Sequence, residues 1–226
     1  MKNRITIIGP YFYPEDTAIG LYTTQMAYYL KDKGYRVKVI TGFPNYPQWK
    51  IYDNYTRKNK FLLETINDIE IYRYKLYVPS CPTFLKRILH MLDFTFGAII
   101  NQLKIKNVDI VICIVPFTST ILVGKLLAFL RKAQVWVHVQ DFEFDAALET
   151  GVSKNKERSL FFKLLFYIEG ALLKSVLIQS TISQAMMKKL NDKTKKSPFF
   201  LPNWIDEDFI LTNNSEQHEY IDSKFF

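Results

Sequence analysis

The stretch from Ala133 to Asp145 constrains the fold more than any other part of this chain. It begins as an unbroken β-branched and aromatic run through Val139, which is typical of a strand buried on both faces of a sheet. It continues into Gln140 and Asp141 and ends with carboxylates at alternate positions. In an open α/β sheet, ligands bind just beyond the carboxyl ends of the strands. The sequence therefore predicts a central strand that opens into a polar site.

Strand-like and helix-like patterns alternate along the rest of the chain. Strands are predicted over residues 5–9, 35–41, 61–66, 70–78, 108–115, 133–139, 176–182 and 199–201. Helices are predicted over residues 20–33, 83–104, 118–132, 156–174 and 183–190. This alternation predicts an α/β fold with a doubly wound, mainly parallel Rossmann-like sheet flanked by helices. The domain is expected to span residues 1–204, with an acidic tail or linker over 205–226.

Composition places the chain among globular proteins with a substantial core. It has 226 residues, of which 48% are hydrophobic and 15% aromatic. The two cysteines, Cys81 and Cys113, have no metal-binding spacing, which favours a reducing cytoplasm. The apolar run at Ile5–Gly9 is too short for a signal peptide, and charges interrupt the longer apolar stretches, so no membrane span is expected.

The net charge of +8 is unevenly distributed. Residues 154–196 carry ten Lys or Arg against three acids, whereas residues 197–226 carry one Lys against six acids. This predicts either a basic surface that faces an anionic partner or a solvated lysine-rich face. Nucleic acid is not the expected partner, because no recognition motif accompanies the charge.

The familiar nucleotide-binding glycine motifs are absent. Neither a G-x-G-x-x-G fingerprint nor a Walker P-loop follows the first predicted strand, which argues against a nicotinamide enzyme. Gly20 stands alone at a predicted helix start, where free N–H groups and the helix dipole favour a phosphate. A glycine that begins a helix for packing reasons explains this position equally well.

Three further features leave alternatives open. The carboxylates of Asp141, Glu143 and Asp145 fit either a divalent metal or, better, an extended loop packed by its aromatic residues, so no metal is expected. His138 is either a hydrogen-bonded core histidine or a catalytic base. The aromatic residues of the loop Gly42–Trp49 either line an acceptor pocket or pack on the surface.

Four ordered motifs resemble the amino-terminal half of family 4 glycosyltransferases, and most closely the colanic-acid-type enzymes of exopolysaccharide assembly. The motifs are residues 14–23, 138–146, 182–186 and 201–206, and the resemblance covers about residues 3–210. It implies a GT-B architecture, in which two Rossmann-like domains face each other across a cleft. The first domain mainly holds the acceptor and the second the nucleotide-sugar, which is a co-substrate, with no cofactor and no obligatory metal.

The resemblance also implies roles for single residues. It assigns Gly20 and Ile19 to the donor phosphate, with Ala18 where relatives often have another glycine. It assigns the acceptor to Glu15, Asp16, Tyr22, Pro116, Phe117 and Thr118, and the interdomain hinge to Asn203 and Asp206. Gln140 and Asp141 stand where many relatives have a His-Asp pair. Since an amide is not a base, the proton would pass to Asp141, to His138 or to the departing phosphate.

The function implied is retaining transfer of a sugar from a nucleotide-sugar to a lipid-linked saccharide in surface polysaccharide biosynthesis. Residues 84–89 and the basic region 154–196 are expected to contact an anionic membrane surface, at the inner face of the cell membrane. The alternative is a non-catalytic subunit of a split enzyme that binds acceptor or membrane. A donor domain would need about 150 further residues, so these 226 residues are expected to be an acceptor-side half that is inactive alone.

Overall fold

The computed structural model describes residues 3–142, 144–145 and 160–203, which form an eight-stranded sheet with helices on both faces. The strands are β1 (Arg4–Ile8), β2 (Arg36–Gly42), β3 (Phe61–Ile66), β4 (Ile69–Tyr74), β5 (Ile110–Val115), β6 (Gln134–Val139), β7 (Ile178–Thr181) and β8 (Phe199–Phe200). The helices are α1 (Ala18–Asp32), α2 (Asp53–Thr56), α3 (Phe84–Gln102), α4 (Ser119–Arg131), α5 (Leu160–Lys174) and α6 (Gln184–Thr194). The predicted doubly wound, mainly parallel sheet is confirmed.

The order of the strands determines where a ligand can bind. The order is β3-β4-β2-β1-β5-β6-β7-β8, and among the described strands only β3 is antiparallel to its neighbour. The chain therefore builds the sheet outward from β1 in one direction, returns to β5, and continues in the other direction. A reversal of this kind opens a crevice outside the carboxyl ends of the two central strands. That crevice lies between β1 and β5.

Strand β6 lies where the sequence predicted a buried strand, paired with β5 on one side and β7 on the other. Val137 and Val139 point into the core on one face of the sheet, and Trp136 packs against the core on the other. The helix before it, α4, is followed by Lys132, which adopts a left-handed conformation with φ of 56°. The strand thus carries Gln140 and Asp141 to the crevice edge of the sheet.

The two faces of the sheet are covered unequally. Helices α3, α4, α5 and α6 share one core with the sheet and contribute Phe94, Leu127, Leu173 and Leu190 to it. On the other face, α1 packs through Met26 and Ala27. In the described part of the chain, no helix combines the length and hydropathy needed to cross a bilayer.

Some predicted boundaries differ from the observed ones for local reasons. Helix α1 begins at Ala18 instead of Gly20, because the extended backbone of the preceding loop ends at Thr17. Strand β4 ends at Tyr74 instead of residue 78, since the N–H of Tyr77 donates to the carboxylate of Asp93 on α3. Helix α6 continues beyond residue 190 to Thr194. Helix α2 was not predicted, and both the predicted start of α5 and the acidic tail lie outside the described residues.

Candidate functional site

A pocket of about 100 Å³ lies in the crevice between β1 and β5. It is lined by Tyr11, Ala18, Ile19, Tyr46, Trp49, Arg87, Pro116 and Asp141. These residues come from the loops after β1, β2, β5 and β6 and from the first turns of α1 and α3. A larger groove near Arg4 and Lys38 lies at the amino-terminal edge of the sheet, opposite the edge where α/β proteins bind ligands. We therefore take the small pocket as the candidate site.

Glu15 fastens the loop after β1 to the loop after β2. Its carboxylate accepts backbone N–H groups from Phe12 at 3.1 Å, Asn45 at 2.8 Å and Tyr46 at 2.9 Å. Burial raises its pKa to about 7, although the three N–H donors act in the opposite direction. The carboxylate is thus enclosed and occupied by the backbone, and the acceptor contact that the resemblance implies for Glu15 stays a prediction. Glu15 is a positioning residue for the pocket.

Replacing Glu15 by Gln is expected to lower the free energy of unfolding by about 1–3 kcal/mol at pH 5, because the amide NH2 would face a backbone donor. A raised folded-state pKa means that the folded protein keeps this proton when the unfolded chain has lost it. The stability from this group is therefore full below pH 4.5 and is lost as the pH rises to about 7. Urea unfolding of the parent and of Glu15→Gln should show a smaller difference in the free energy of unfolding at pH 8 than at pH 5. A difference that grows with pH, or an equal loss in the exposed control Asp16→Asn, would contradict this.

Arg73 on β4 supports the same two loops from within the core. Its guanidinium donates to the carbonyl oxygens of Tyr13 and of Gly42, and it forms an ion pair with Glu64 on β3. The side chain of Arg73 is fully buried and lies over the ring of Tyr55. A hydrogen-bonded network of this kind is costly to break, so it holds the loops of the pocket in place.

Two pocket residues have strained backbones. Ala18 has φ of 48° and Trp49 has φ of 53°, in the left-handed region that side chains with a Cβ rarely adopt. Such conformations cost about 1–3 kcal/mol each and cluster at functional sites. The strain places the first turn of α1 and the indole of Trp49 at the pocket wall.

Three of the eight lining residues of the pocket are aromatic: Tyr11, Tyr46 and Trp49. The rings of Tyr11 and Tyr46 lie 5.2 Å apart, and the indole of Trp49 lies 5.4 Å from the ring of His90. The guanidinium of Arg87 lies 5.8 Å from the centre of the Trp49 ring, within cation–π range. The pocket therefore offers flat apolar surfaces, hydroxyl groups and one cation, a combination suited to a ligand with apolar faces and polar edges.

The end of β6 contributes one carboxylate to the pocket. Gln140 is buried, and its backbone N–H donates to the carbonyl of Val115 on β5. Asp141 is exposed at the pocket wall, and its Oδ1 accepts the N–H of Phe142 at 2.7 Å. Of the two residues predicted at this edge, only Asp141 lines the pocket.

His138 lies in the core, as one of the two alternatives from the sequence expects, and its role as a base stays a prediction. Its Nδ1 lies 2.9 Å from the Oγ of Ser180, which also accepts the indole N–H of Trp136. The side chain is 1% exposed, and burial lowers its pKa to about 4, so the ring is neutral at physiological pH. It is enclosed within the strand and does not line the pocket.

Of the alternate carboxylates after β6, Asp141 lines the pocket and Asp145 is paired with lysines. Asp145 forms ion pairs with Lys189 at 3.1 Å and Lys193 at 2.9 Å, and Lys193 also pairs with the buried Glu169. Glu143 lies outside the described residues. Within the described ranges, no three His, Cys, Asp or Glu side chains are grouped so that they could hold a metal ion. Part of the predicted basic surface is thus occupied by internal ion pairs.

The two predicted donor residues have different environments. Ile19 lines the pocket, in the first turn of α1. Gly20 is buried, and a Cβ there would lie 2.7 Å from the carbonyl oxygen and 2.9 Å from the Cβ of Glu15. The packing alternative thus accounts for Gly20, which allows α1 to approach the loop held by Glu15.

Only some of the other predicted contact residues line the pocket. Pro116 lines the pocket, whereas Phe117 and Thr118 are buried behind it. Asp16 is exposed and Tyr22 is half-buried on α1, and neither lines the pocket. In the predicted hinge, Asn203 follows β8, and Asp206 lies outside the described residues. Of the six residues predicted to contact the acceptor, Pro116 alone lines the pocket, and the acceptor contacts themselves stay predictions.

Five lining residues were not among the predicted site residues: Tyr11, Ala18, Tyr46, Trp49 and Arg87. The aromatic loop 42–49 was recognised as one alternative for an acceptor pocket, and Tyr46 and Trp49 confirm its place in the wall. No local signal in the sequence singles out Arg87. It reaches the site because α3 begins beside the loop after β2.

No family model matches this chain. The chain is 35% identical over 206 residues to a protein of Escherichia coli strain K12 that is named as a colanic acid biosynthesis glycosyl transferase, WcaI. The match covers 89% of this chain and 50% of that protein. The chain thus spans about half the length of the curated relative it matches.

Solved structures share the fold at low sequence identity. Sucrose-phosphate synthase from Thermosynechococcus elongatus has a TM-score of 0.60 and 13% identity, and the match covers 89% of this chain and 48% of that one. The catalytic domain of starch synthase IV from Arabidopsis thaliana, bound to ADP and acarbose, has a TM-score of 0.60 and 15% identity, with coverages of 92% and 53%. The predicted resemblance to glycosyltransferases of the GT-B fold is confirmed.

Proposed function

We propose that this chain, a relative of the colanic acid glycosyltransferases with the fold of one GT-B half, supplies the acceptor-binding face of a glycosyltransferase of exopolysaccharide biosynthesis. The observation that carries the proposal is the pocket between β1 and β5, with three aromatic rings, one cation and one carboxylate. It lies where an α/β sheet binds its ligand.

The chemistry of the wall suits a saccharide. Tyr11, Tyr46 and Trp49 present flat apolar surfaces on which a sugar ring can stack, and the tyrosines add hydroxyl groups near the hydroxyls of the sugar. A pocket of about 100 Å³ is small and holds at most one sugar ring. Arg87 supplies a positive charge for a phosphate, which fits an acceptor whose saccharide is joined to a lipid through a phosphate.

Asp141 is the candidate proton acceptor. In the transfer, the acceptor hydroxyl oxygen bonds to the anomeric carbon while the bond from that carbon to the diphosphate breaks, and the nucleoside diphosphate departs. In retaining transfer the new bond forms on the face that the diphosphate leaves. The hydroxyl proton passes to Asp141 or to the departing phosphate, since Gln140 is an amide and His138 is enclosed.

The first turn of α1 is the candidate contact for the donor diphosphate. Ala18 and Ile19 line the pocket at the positive end of the helix dipole, where N–H groups lack partners within the helix. We propose that a second Rossmann-like domain holds the remainder of the nucleotide-sugar, without an obligatory metal. For this polypeptide by itself we expect nucleotide-sugar binding no tighter than about 1 mM.

The second candidate function is a non-catalytic subunit that binds acceptor or membrane while another chain supplies the donor chemistry. The observation that favours it is Gln140, an amide in the position where many relatives have a histidine. A substitution of Asp141 distinguishes the two functions, because it lowers the rate of sugar transfer only if this chain takes part in the reaction.

Replacing Trp49 by Ala is expected to weaken saccharide binding about tenfold, because one stacking surface of the pocket is lost. Calorimetry with a panel of oligosaccharides and glycosyl phosphates measures this directly on residues 1–226. The matched control is Tyr29→Ala, which removes an exposed aromatic ring of α1 outside the pocket. Equal weakening in both variants, or no binding by the parent chain to any member of the panel, would contradict the proposal.

A further inference from the structure

Three helices on one face of the sheet expose apolar side chains. These are Leu85, Leu89, Leu92 and Phe96 on α3, Leu122, Leu126 and Phe129 on α4, and Leu160, Leu164 and Tyr167 on α5. The spacing of three or four residues places each set along one stripe of its helix. Helix α3 contacts α4, and α4 contacts α5, so the stripes lie side by side. We call these ten side chains the outer face.

The largest side chains of the outer face are mostly exposed. Phe129 is 82% exposed, Leu160 is 87% exposed and Tyr167 is 74% exposed. Isolated apolar side chains are ordinary on protein surfaces, but a contiguous set marks an interaction site. The stripe from Leu85 to Phe96 extends about 16 Å along α3, and neighbouring helix axes lie about 8–10 Å apart. The outer face is therefore broad enough to rest on an extended surface.

Helices α4 and α5 carry the same pattern of residues on this face. In each, a leucine is followed three residues later by a lysine, four residues later by another leucine and seven residues later by an aromatic residue. The lysines are Lys125 and Lys163, and both are exposed. Lysine side chains can lay their methylene chains along an apolar surface while the ammonium group reaches a charged layer beside it.

The charge on these helices has one sign at the surface. Helices α3, α4 and α5 contain six Lys or Arg residues and two carboxylates, Asp93 and Glu169. Asp93 accepts hydrogen bonds from the hydroxyl of Tyr74 and the N–H of Tyr77. Glu169 is buried and paired with Lys193. Both carboxylates are thus occupied within the fold, and the outer face meets its surroundings with apolar groups and cations.

From this arrangement we infer that the outer face docks on an anionic lipid bilayer. Protein interfaces are depleted of lysine, whereas helices that lie in a membrane interface combine an apolar stripe with lysines beside it. Anionic headgroups complement the charge of Lys125 and Lys163, and the acyl region takes the leucine and aromatic side chains. Unlike the two separate regions expected from the sequence, this surface joins three helices and includes α4.

The outer face reaches the pocket, and in this respect the inference rests on the proposed function. The parallel crossovers place the amino-terminal ends of α3, α4 and α5 at the crevice edge of the sheet. There Phe84 of α3 stacks on Phe162 of α5 with ring centres 5.0 Å apart. Arg87 in the pocket wall is two positions from both Leu85 and Leu89, so it belongs to the same end of α3 but to another side of the helix. A docked domain would therefore hold its pocket beside the headgroups, where the saccharide of a lipid-linked acceptor lies.

The test is co-sedimentation with vesicles of phosphatidylcholine, with or without about one third phosphatidylglycerol. The parent chain is expected to bind the anionic vesicles and to dissociate as salt is raised. Lys125→Gln with Lys163→Gln is expected to weaken binding about 25-fold, at about fivefold for each lysine. Phe129→Asp with Tyr167→Asp is expected to weaken it at least as much, and thermal unfolding should remain unchanged because both side chains are exposed.

Control variants change charge elsewhere on the surface. Arg57→Gln with Lys58→Gln removes two exposed cations near α2, and Tyr29→Asp introduces an acid on α1, on the other face of the sheet. Both should bind vesicles as the parent does. Equal partitioning of the parent with and without anionic lipid overturns the inference, as does equal weakening in the controls. A dimer that Phe129→Asp with Tyr167→Asp converts to a monomer, with vesicle binding unchanged, would assign the face to a second copy instead.

This test is separable from that of the proposed function. Vesicle binding requires no sugar, and saccharide binding in the pocket requires no lipid. Absence of saccharide binding with vesicle binding intact counts against the proposed function. Absence of vesicle binding with saccharide binding intact counts against the docking surface.

Discussion

Replacing Asp141 by Asn is expected to lower the rate of sugar transfer about 10²–10³-fold with little change in KM, because the pocket loses its proton acceptor. The substitution keeps an oxygen for the N–H of Phe142, so the local backbone should be retained. The assay uses a chimera in which this chain replaces the matching half of the Escherichia coli relative. It measures transfer of labelled sugar from UDP- and GDP-sugars to lipid-linked saccharides.

The control for this variant is Asp192→Asn, which removes an exposed carboxylate of α6 outside the pocket. It should leave the rate within about twofold of the parent, since surface substitutions away from a site have small effects. A parent-like rate for Asp141→Asn would exclude this carboxylate as the base and assign the proton to the departing phosphate.

Replacing Gly20 by Val is expected to lower the free energy of unfolding by about 3 kcal/mol, as overpacking of a tight contact does. The added Cβ would meet the backbone oxygen and the Cβ of Glu15, a residue whose side-chain carboxylate is held by three hydrogen bonds. Gly170→Ala on α5 is the matched control, since no described atom lies within 4 Å of its Cβ position, and it should be neutral or slightly stabilising. Urea unfolding measures both. Unchanged stability of Gly20→Val with lost donor binding would instead support the predicted phosphate role.

The sheet could be predicted because its strands are recognisable locally. The β-branched run of β6 and the apolar runs of β1 and β5 are buried on both faces, and this requires continuous hydrophobic sequence. The order of alternating elements then leaves few topologies for a mainly parallel sheet. Asp141 followed from the same argument, since it lies directly after a central strand.

The wall of the pocket could not be predicted in the same way, because it depends on contacts between distant segments. Arg87 and Trp49 meet only after α3 has packed beside the loop after β2. The resemblance placed Glu15 near the acceptor, but whether a carboxylate faces a ligand or its own backbone depends on the loop that folds over it. His138 likewise gains its role from Ser180 on the neighbouring strand. The position of these residues near the pocket could be expected, but the direction in which their side chains point could not.

The most direct test of the central claim, that this chain forms one face of a transferase cleft, is labelled sugar transfer by the chimera and by residues 1–226 alone. Near-attack positioning of two substrates supplies about 7–11 kcal/mol of barrier reduction, and one face of a cleft holds only one of them. We expect sugar transfer by the chimera and none by residues 1–226. Transfer by residues 1–226 alone would contradict it, as would a folded chimera that binds nucleotide-sugar and saccharide but transfers nothing.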